Sequence, residues 1–391
     1  MSEERGPVLA GLHIPKTGGT TLRHHVETRL GKSECYASSH LHASRRVLRG
    51  DPLLPLYKRK RLHAVRFYLG HAPRLEEIFL LDCTALRVFT MLRDPVDHLV
   101  SRYKHTLRHS NDASEIPSFA TFVAEAPADQ MARKIRSTFG RLVDPVPPLS
   151  EAGLHTILAK LDYVLWTDSL DHQVAELCSL VGAEGVPERR RIYRDDVDLD
   201  GMTRADIEAL SPIDTALASA MRERGASRIG NPFASERTDW AAARKQLAPQ
   251  MQDPIREVYF AVFDYMRANH MLHAYSLSAE ARDDPASLIF ARYVAERNID
   301  LSARQPTIRD QVGLAVFLID TKRGTEATAL LRGLAEEAPD DFLVQFNLAR
   351  ALGRRELSTA LAACKRALAL NPMNQNARDL LSRLSGDDQL G

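Results

Sequence analysis

A chain of 391 residues, 44% hydrophobic and 26% charged, has room for two or three domains of ordinary globular composition. Its 52 Lys and Arg are balanced by 51 Asp and Glu, which excludes a general nucleic-acid coat, because that mode of binding sets many cations against phosphates. Local basic runs at Arg45-Arg46 and Lys58 to Arg61 still leave room for a cleft that takes one anionic ligand.

In chain order, VLAGLHI (8–14) reads as a buried strand. A helix follows over 20–30, with Leu22, Val26 and Leu30 at four-residue spacing. Further strands are expected at 64–69, 86–92 and 163–167, each followed by a segment of helical pattern. That alternation predicts an α/β fold with a mainly parallel sheet, whose ligands sit beyond the carboxyl ends of the strands. The proline-rich stretch 141–150 reads as a loop, and LSPIDTALASAMRE (210–223) as the helix that closes the domain. GNPFASERTDW, starting at Gly230, reads as a boundary, beyond which no strand is expected. The organisation expected is therefore a first domain over 1–230, a helical linker or capping region over 231–305, and helical repeats over 306–391. GTEATALLRGLAEEAPDD (324–341) aligns with LSTALAACKRALALNPMN (357–374) at an offset of 33, pairing Ala327 with Ala360 and Pro339 with Pro372. This pattern resembles the tetratricopeptide repeat, which implies stacked helix pairs and leaves open a protein or peptide partner on their concave face.

The four cysteines, Cys35, Cys83, Cys178 and Cys364, form no CxxC pair, so neither a zinc site nor a disulfide framework is expected. The sequence carries no basic leader with a long apolar stretch and no run of about 18 apolar residues. The expectation is a cytoplasmic protein without a membrane span.

The segment HIPKTGGTTL (13–22) directly follows the first strand. Gly18 and Gly19 permit a tight backbone, Thr17, Thr20 and Thr21 offer hydroxyls, and a helix N-terminus adds free amides and a favourable dipole for an anion. Lys16 adds a full positive charge. The order differs from a Walker A loop, in which lysine and a magnesium-binding hydroxyl follow the last glycine. PKTGGTT resembles instead the 5′-phosphosulfate loop of sulfotransferases that use 3′-phosphoadenylyl sulfate (PAPS), and within them the heparan sulfate 2-O- and 6-O-sulfotransferases and their bacterial relatives.

A second segment, LRDPVDHLVSRY (92–103), places Arg93 at a strand end, Asp94 as a helix N-cap and Pro95 at the first helical position. It resembles the same family's 3′-phosphate motif, in which an arginine and a serine eight apart hold the phosphate; here these are Arg93 and Ser101. The resemblance covers about residues 7–230. It implies a P-loop-like parallel sheet flanked by helices, PAPS as co-substrate with 3′,5′-ADP as product, no metal, and a hydroxyl acceptor for which a carbohydrate leads.

Sulfuryl transfer to a hydroxyl needs a base, and histidine titrates in the right range. His71 in FYLGHA resembles the catalytic histidine of the 2-O-sulfotransferases. Glu76 and Glu77 stand as alternatives, and His40 and His42 as reserves. His13 reads as core, and His24, His25, His98 and His105 as surface or packing residues of helices. Arg133 in QMARKIRSTFG matches a segment of bacterial members and is a candidate contact to nucleotide or anionic acceptor, with an exposed helical arginine as the alternative. YVLWTDSLDHQVAELCSLVG (163–182) resembles the family's strand and helix after the acceptor region, which implies a structural role and leaves a place beside the adenine open to Trp166 and Thr167. Two other readings remain open: a nucleotide kinase or NTPase, for which GK[ST] and an acidic magnesium motif are missing, and a non-catalytic repeat adaptor with a degenerate sulfotransferase fold.

Overall fold

A computed structural model describes residues 6–31, 34–38, 64–71, 75–79, 84–109, 116–185, 197–223, 229–248, 254–268, 285–299, 307–320 and 323–386, together with Val47, Leu81, Leu272 and Tyr275. The described part of the chain is α/β, and it divides into two units: the first holds the described residues up to Tyr103, save Val47, and from Ser118 to Pro254, and the second holds Val47, 104–109, 116–117 and the described residues from Ile255 on.

Apolar runs become strands where both faces are covered. β1 (Val8–Leu12) is buried at every position, as expected of a central parallel strand. α1 (Gly19–Leu30) follows, then β2 (Cys35–Ser38), β3 (Phe67–Gly70), the single turn α2 (Leu75–Ile78) and β4 (Leu86–Leu92). After β4 come α3 (Pro95–His109), α4 (Phe119–Glu125), α5 (Gln130–Phe139), α6 (Glu151–Leu158) and β5 (Tyr163–Trp166). α7 (Leu170–Ser179), α8 (Arg204–Ala209), α9 (Pro212–Glu223) and α10 (Trp240–Leu247) complete the unit. The first strand stops two residues earlier than expected because His13 and Ile14 already lead into a turn. β2 was not expected: CYAS is short, carries no apolar run and lies at the sheet edge.

The five strands are all parallel, in the order β2-β3-β1-β4-β5. Leu12 pairs with Gly70 on one side and Thr90 on the other, so β1, β3 and β4 end near one level. The chain leaves β1 toward β2 and leaves β4 toward β5. Adjacent strands whose exits diverge open a crevice at their carboxyl ends, the usual ligand position in such sheets.

Alternate strand residues feed two cores. Leu9, Phe67, Phe89 and Leu165 pack with Leu22 and Val26 of α1 and Val174 and Leu177 of α7. Ala10, Leu12, Tyr68, Val88 and Val164 pack with Ile135, Phe139, Ile157, Leu217 and Trp240 on the other face. Each such large side chain contributes roughly 1.5–3 kcal/mol on burial.

The expected boundary at 230 moves. Trp240 is 2% exposed, its indole N–H donates to Asp162 Oδ2 at 2.7 Å, and its ring lies 6.5 Å from that of Phe79. The Asn231 amide donates to the carbonyls of Leu158 and Leu161. Residues 229–248 are thus stitched into the first unit by buried polar bonds, which a linker would lack.

Two buried carboxylates exchange helix caps. Asp129 accepts from the amides of Ile213 and Asp214, in the first turn of α9. Asp214 accepts from those of Met131 and Ala132, in the first turn of α5. Burial, with the like charge of Asp129 adding to it, outweighs these two amides and Arg133 and pushes the Asp214 carboxyl up to about 7.

In the second unit, α11 (Pro254–Ala268) and α12 (Pro285–Glu296) contribute a cluster of aromatic rings, with Phe263 against Phe290 at 5.1 Å. Then come α13 (Ile308–Asp320), α14 (Gly324–Glu337), α15 (Phe342–Leu352), α16 (Leu357–Leu370) and α17 (Gln375–Ser385). The bounds of α16 lie 33 residues beyond those of α14, and those of α17 lie 33 beyond those of α15. The matching alanines, Ala327 and Ala360, are both fully buried. Asp341 and Asn374, at the same offset, cap α15 and α17 through the amides of Val344 and Ala377.

A carboxyl whose pKa is raised on folding stabilises the fold below its ordinary pKa near 3.8 and loses that contribution as pH rises through 7. Asp214→Asn should therefore gain on the parent between pH 5 and pH 8, the difference in unfolding midpoints moving by roughly 5 °C in its favour. A difference that stays flat over this interval, measured by calorimetry, would show that Asp214 is already ionised at pH 5.

Candidate anion-binding site

The β1–α1 turn is built from backbone conformations that only some residues tolerate. Lys16 has φ 72° and Gly18 φ 91°, both left-handed. Thr17, fully buried, donates its hydroxyl to Ile14 O at 2.8 Å, and its amide points to the same carbonyl. Thr17 therefore holds the turn together, and its hydroxyl proton is already committed. Thr21 is buried as well, while Thr20 is half-buried. Gly18 caps α1 without a side-chain hydrogen bond, and no described residue accepts from the amides of Gly18, Gly19 or Thr20. A helix start with three uncommitted N–H groups is a site for negative charge.

Neither glycine leaves open space beside it. A Cβ on Gly18 would meet Leu170 at 2.3 Å, and one on Gly19 would meet the His13 ring at 2.2 Å. The absent side chains are needed for packing against protein.

The second motif grips the first by its carbonyls. Asp94 caps α3, its Oδ1 accepting from the amides of Val96 and Asp97 at 3.0 and 3.1 Å. That fixes Arg93 at the strand end, where its Nη1 donates to Lys16 O at 2.9 Å. One turn along the helix, His98 Nε2 bonds Pro15 O at 2.9 Å; since a carbonyl only accepts, this nitrogen carries the proton. The turn's two carbonyls are thereby drawn to protein donors, one at the end of β4 and one on α3. Arg93 Nε remains buried without a partner, which fits a site completed by an acceptor on an anion. Ser101 lies three residues beyond His98, hence on the same helix face, and is half-buried.

Behind this face, Asp94 Oδ2 receives both Arg204 and Arg222. The Arg222 guanidinium lies over the Trp166 ring at 5.8 Å. Trp166 is 4% exposed and belongs to the core, with its indole N–H on Asp168. Thr167 donates to Leu92 O at 2.8 Å, so both residues expected beside a nucleotide base carry structural bonds.

His71 leaves the end of β3 beside β1, its ring stacked on that of His13 with centroids 4.1 Å apart. His13 is also tied back by its amide to Gly70 O at 2.7 Å. Burial above all, with the electrostatic influence of nearby His71, Arg23 and Lys16 adding, pushes the His13 pKa down to about 3. His71 and Lys16 thus both lie within electrostatic reach of one buried, neutral imidazole. The turn residues 16–21, Arg93, Ser101 and His71 all sit on elements that meet at the carboxyl edge around β1.

Other candidates lie apart from it. Glu77 is buried and accepts from Tyr68 OH at 2.6 Å, while the side chain of Glu76 lies outside the described residues. Arg133 is exposed and its Nε bonds Ala128 O at the start of α5. His40, His42 and the basic runs at 45–46 and 58–61 also lie outside the described residues. Sequence reasoning passed over His98, expected as an ordinary helical histidine. Its spacing of three from Ser101 and four from Asp94 is the signal that places it on the site's face.

The chain matches no protein-family model, no curated protein and no solved structure.

Burial pushes the His98 pKa down to about 4, against the Pro15 hydrogen bond and with Arg102, Arg93 and Lys16 adding to the shift. A histidine depressed on folding stabilises the fold above its ordinary pKa near 6.5, and the contribution drains away as pH falls toward 4. His98→Gln keeps a donor for Pro15 but removes the titration. In urea unfolding at pH 7 and pH 4.5 it should therefore lose less stability on acidification than the parent, by on the order of 2 kcal/mol. Equal losses would mean that His98 is not held neutral.

Proposed function

We propose that the first unit is a sulfotransferase that moves the sulfuryl group of PAPS to a hydroxyl acceptor, with a carbohydrate hydroxyl as the leading acceptor class. The observation that carries this reading is the contact between the two motifs: Arg93, from the segment resembling the 3′-phosphate motif, hydrogen-bonds the carbonyl of Lys16 in the segment resembling the phosphosulfate loop. One donor molecule with anionic groups at both ends can then span the crevice between β1 and β4. The uncommitted amides of Gly18, Gly19 and Thr20 and the buried, unpartnered Nε of Arg93 suit such a substrate.

In the reaction, the acceptor oxygen bonds to sulfur as the bond from sulfur to the bridging phosphate oxygen breaks, and 3′,5′-ADP leaves. His71 takes the hydroxyl proton. Lys16 and the α1 amides stabilise the charge that grows on the departing oxygen. His13, neutral and buried against His71, places no second positive charge beside the base as it becomes protonated.

The proposal extends to the second unit: its 33-residue helix pairs are read as tetratricopeptide-like repeats that present a surface to a protein or peptide. It also places the enzyme in the reducing cytoplasm, a reading that the free thiols Cys35, Cys178 and Cys364 support.

Saturating 3′,5′-ADP without magnesium should raise the unfolding midpoint, corresponding to about 2.7 kcal/mol at a hundredfold excess over Kd, with ATP and GTP doing little. His71→Ala should keep that binding and lose at least about 10²-fold in turnover of labelled PAPS. Lys16→Ala should lose turnover as well. Stabilisation by Mg-ATP alone would favour a kinase and sink the proposal, and full turnover by His71→Ala would remove His71 as base.

A further inference from the structure

Arg102 follows Ser101 on α3 and stands four residues beyond His98, so its side chain leaves the helix from the same side as the imidazole that holds Pro15. Arg102 also adds to the positive field felt by His98. Its guanidinium carbon lies 5.7 Å from the centre of the Phe122 ring, an apolar support from α4. Its Nη1 is buried and donates to nothing, and no described carboxylate, carbonyl or hydroxyl accepts from any of its N–H groups.

The contrast with neighbouring arginines is informative. Arg93 has Asp94, Asp97 and Asp168 in its field, and Arg204 and Arg222 share Asp94. Burial alone acts on Arg102 and lowers its pKa, with no carboxylate to offset it. A half-buried guanidinium without a counter-charge is costly to a fold, and an orphaned buried donor usually marks a missing acceptor.

We infer that Arg102 is a ligand for the phosphate that Arg93 and Ser101 hold, and so a residue that selects donors carrying a 3′-phosphate. The inference rests on the PAPS reading above. It assigns Arg102 to the phosphate at the α3 end because Arg102 sits two turns along that helix, away from the α1 amides that take the other end. Arg93, Arg102 and Ser101 together would offer a dianion two cationic forks and a neutral donor, an arrangement that a single phosphodiester or a neutral ribose hydroxyl cannot fill.

The test compares 3′,5′-ADP with 5′-AMP by calorimetric titration of the full chain. Arg102→Met should weaken 3′,5′-ADP by at least about tenfold and leave 5′-AMP within about twofold, so that the preference between them falls. Without nucleotide the same variant should unfold at the parent's temperature or higher, since it removes an uncompensated cation; a purely structural arginine would give the opposite. Arg102→Lys keeps the charge without the fork and should fall between, and it serves as the probe should the methionine variant not fold. A parent that prefers 3′,5′-ADP while both variants keep the preference overturns the inference and leaves the sulfotransferase reading standing. A parent with no preference overturns that reading, and the inference with it.

Discussion

Two backbone carbonyls, those of Pro15 and Lys16, face donors more than seventy residues away in sequence: the imidazole of His98 on α3 and the guanidinium of Arg93 between β4 and α3. With its carbonyls occupied in this way, the turn after β1 is held to α3, and its following amides stay uncommitted. Both hydrogen bonds are partly buried, so losing one partner leaves the other without a full substitute in water. The geometry of the crevice therefore depends on α3 starting where it does, and that start is fixed by Asp94. The same carboxylate receives Arg204 and Arg222, so the segment around α8 and α9 is fastened to the helix that carries Ser101.

The buried titratable groups follow a common logic with opposite signs. His13 and His98 are kept neutral by burial, and the loops they hold are firmest above their ordinary pKa. Asp214 is buried too, but for a carboxyl burial favours the protonated form, and its contribution runs the other way with pH.

Much of the framework was legible in the sequence, because apolar runs bounded by turn residues leave few alternatives. β4 begins and ends as expected, and the cap at Asp94 followed by Pro95 is written in residue types with one conformational role each. The order PKTGGTT and the spacing from Arg93 to Ser101 were likewise readable. What was not readable involves bonds to the main chain. His98 looks like any helical histidine, since its partner is a carbonyl and leaves no mark on residue identity. Thr17 looked like a ligand hydroxyl for the same reason: its acceptor, Ile14 O, is backbone. The boundary placed at 230 failed because GNPF resembles a linker, whereas Asn231 and Trp240 spend their side-chain donors on Leu158, Leu161 and Asp162 of the first unit. β2 escaped because an edge strand of four residues carries too little pattern to separate from a turn.

A side chain at position 19 would collide with the ring of His13, on which the ring of His71 is stacked. The room a methyl group would need at position 19 is filled by the same imidazole that stacks on the second ring. The smallest possible side chain there would reach the end of β3 by displacement, without touching it. Residue 19 is in that sense a gauge for the distance between the loop and the histidine beyond β3, and its missing carbon sets the spacing.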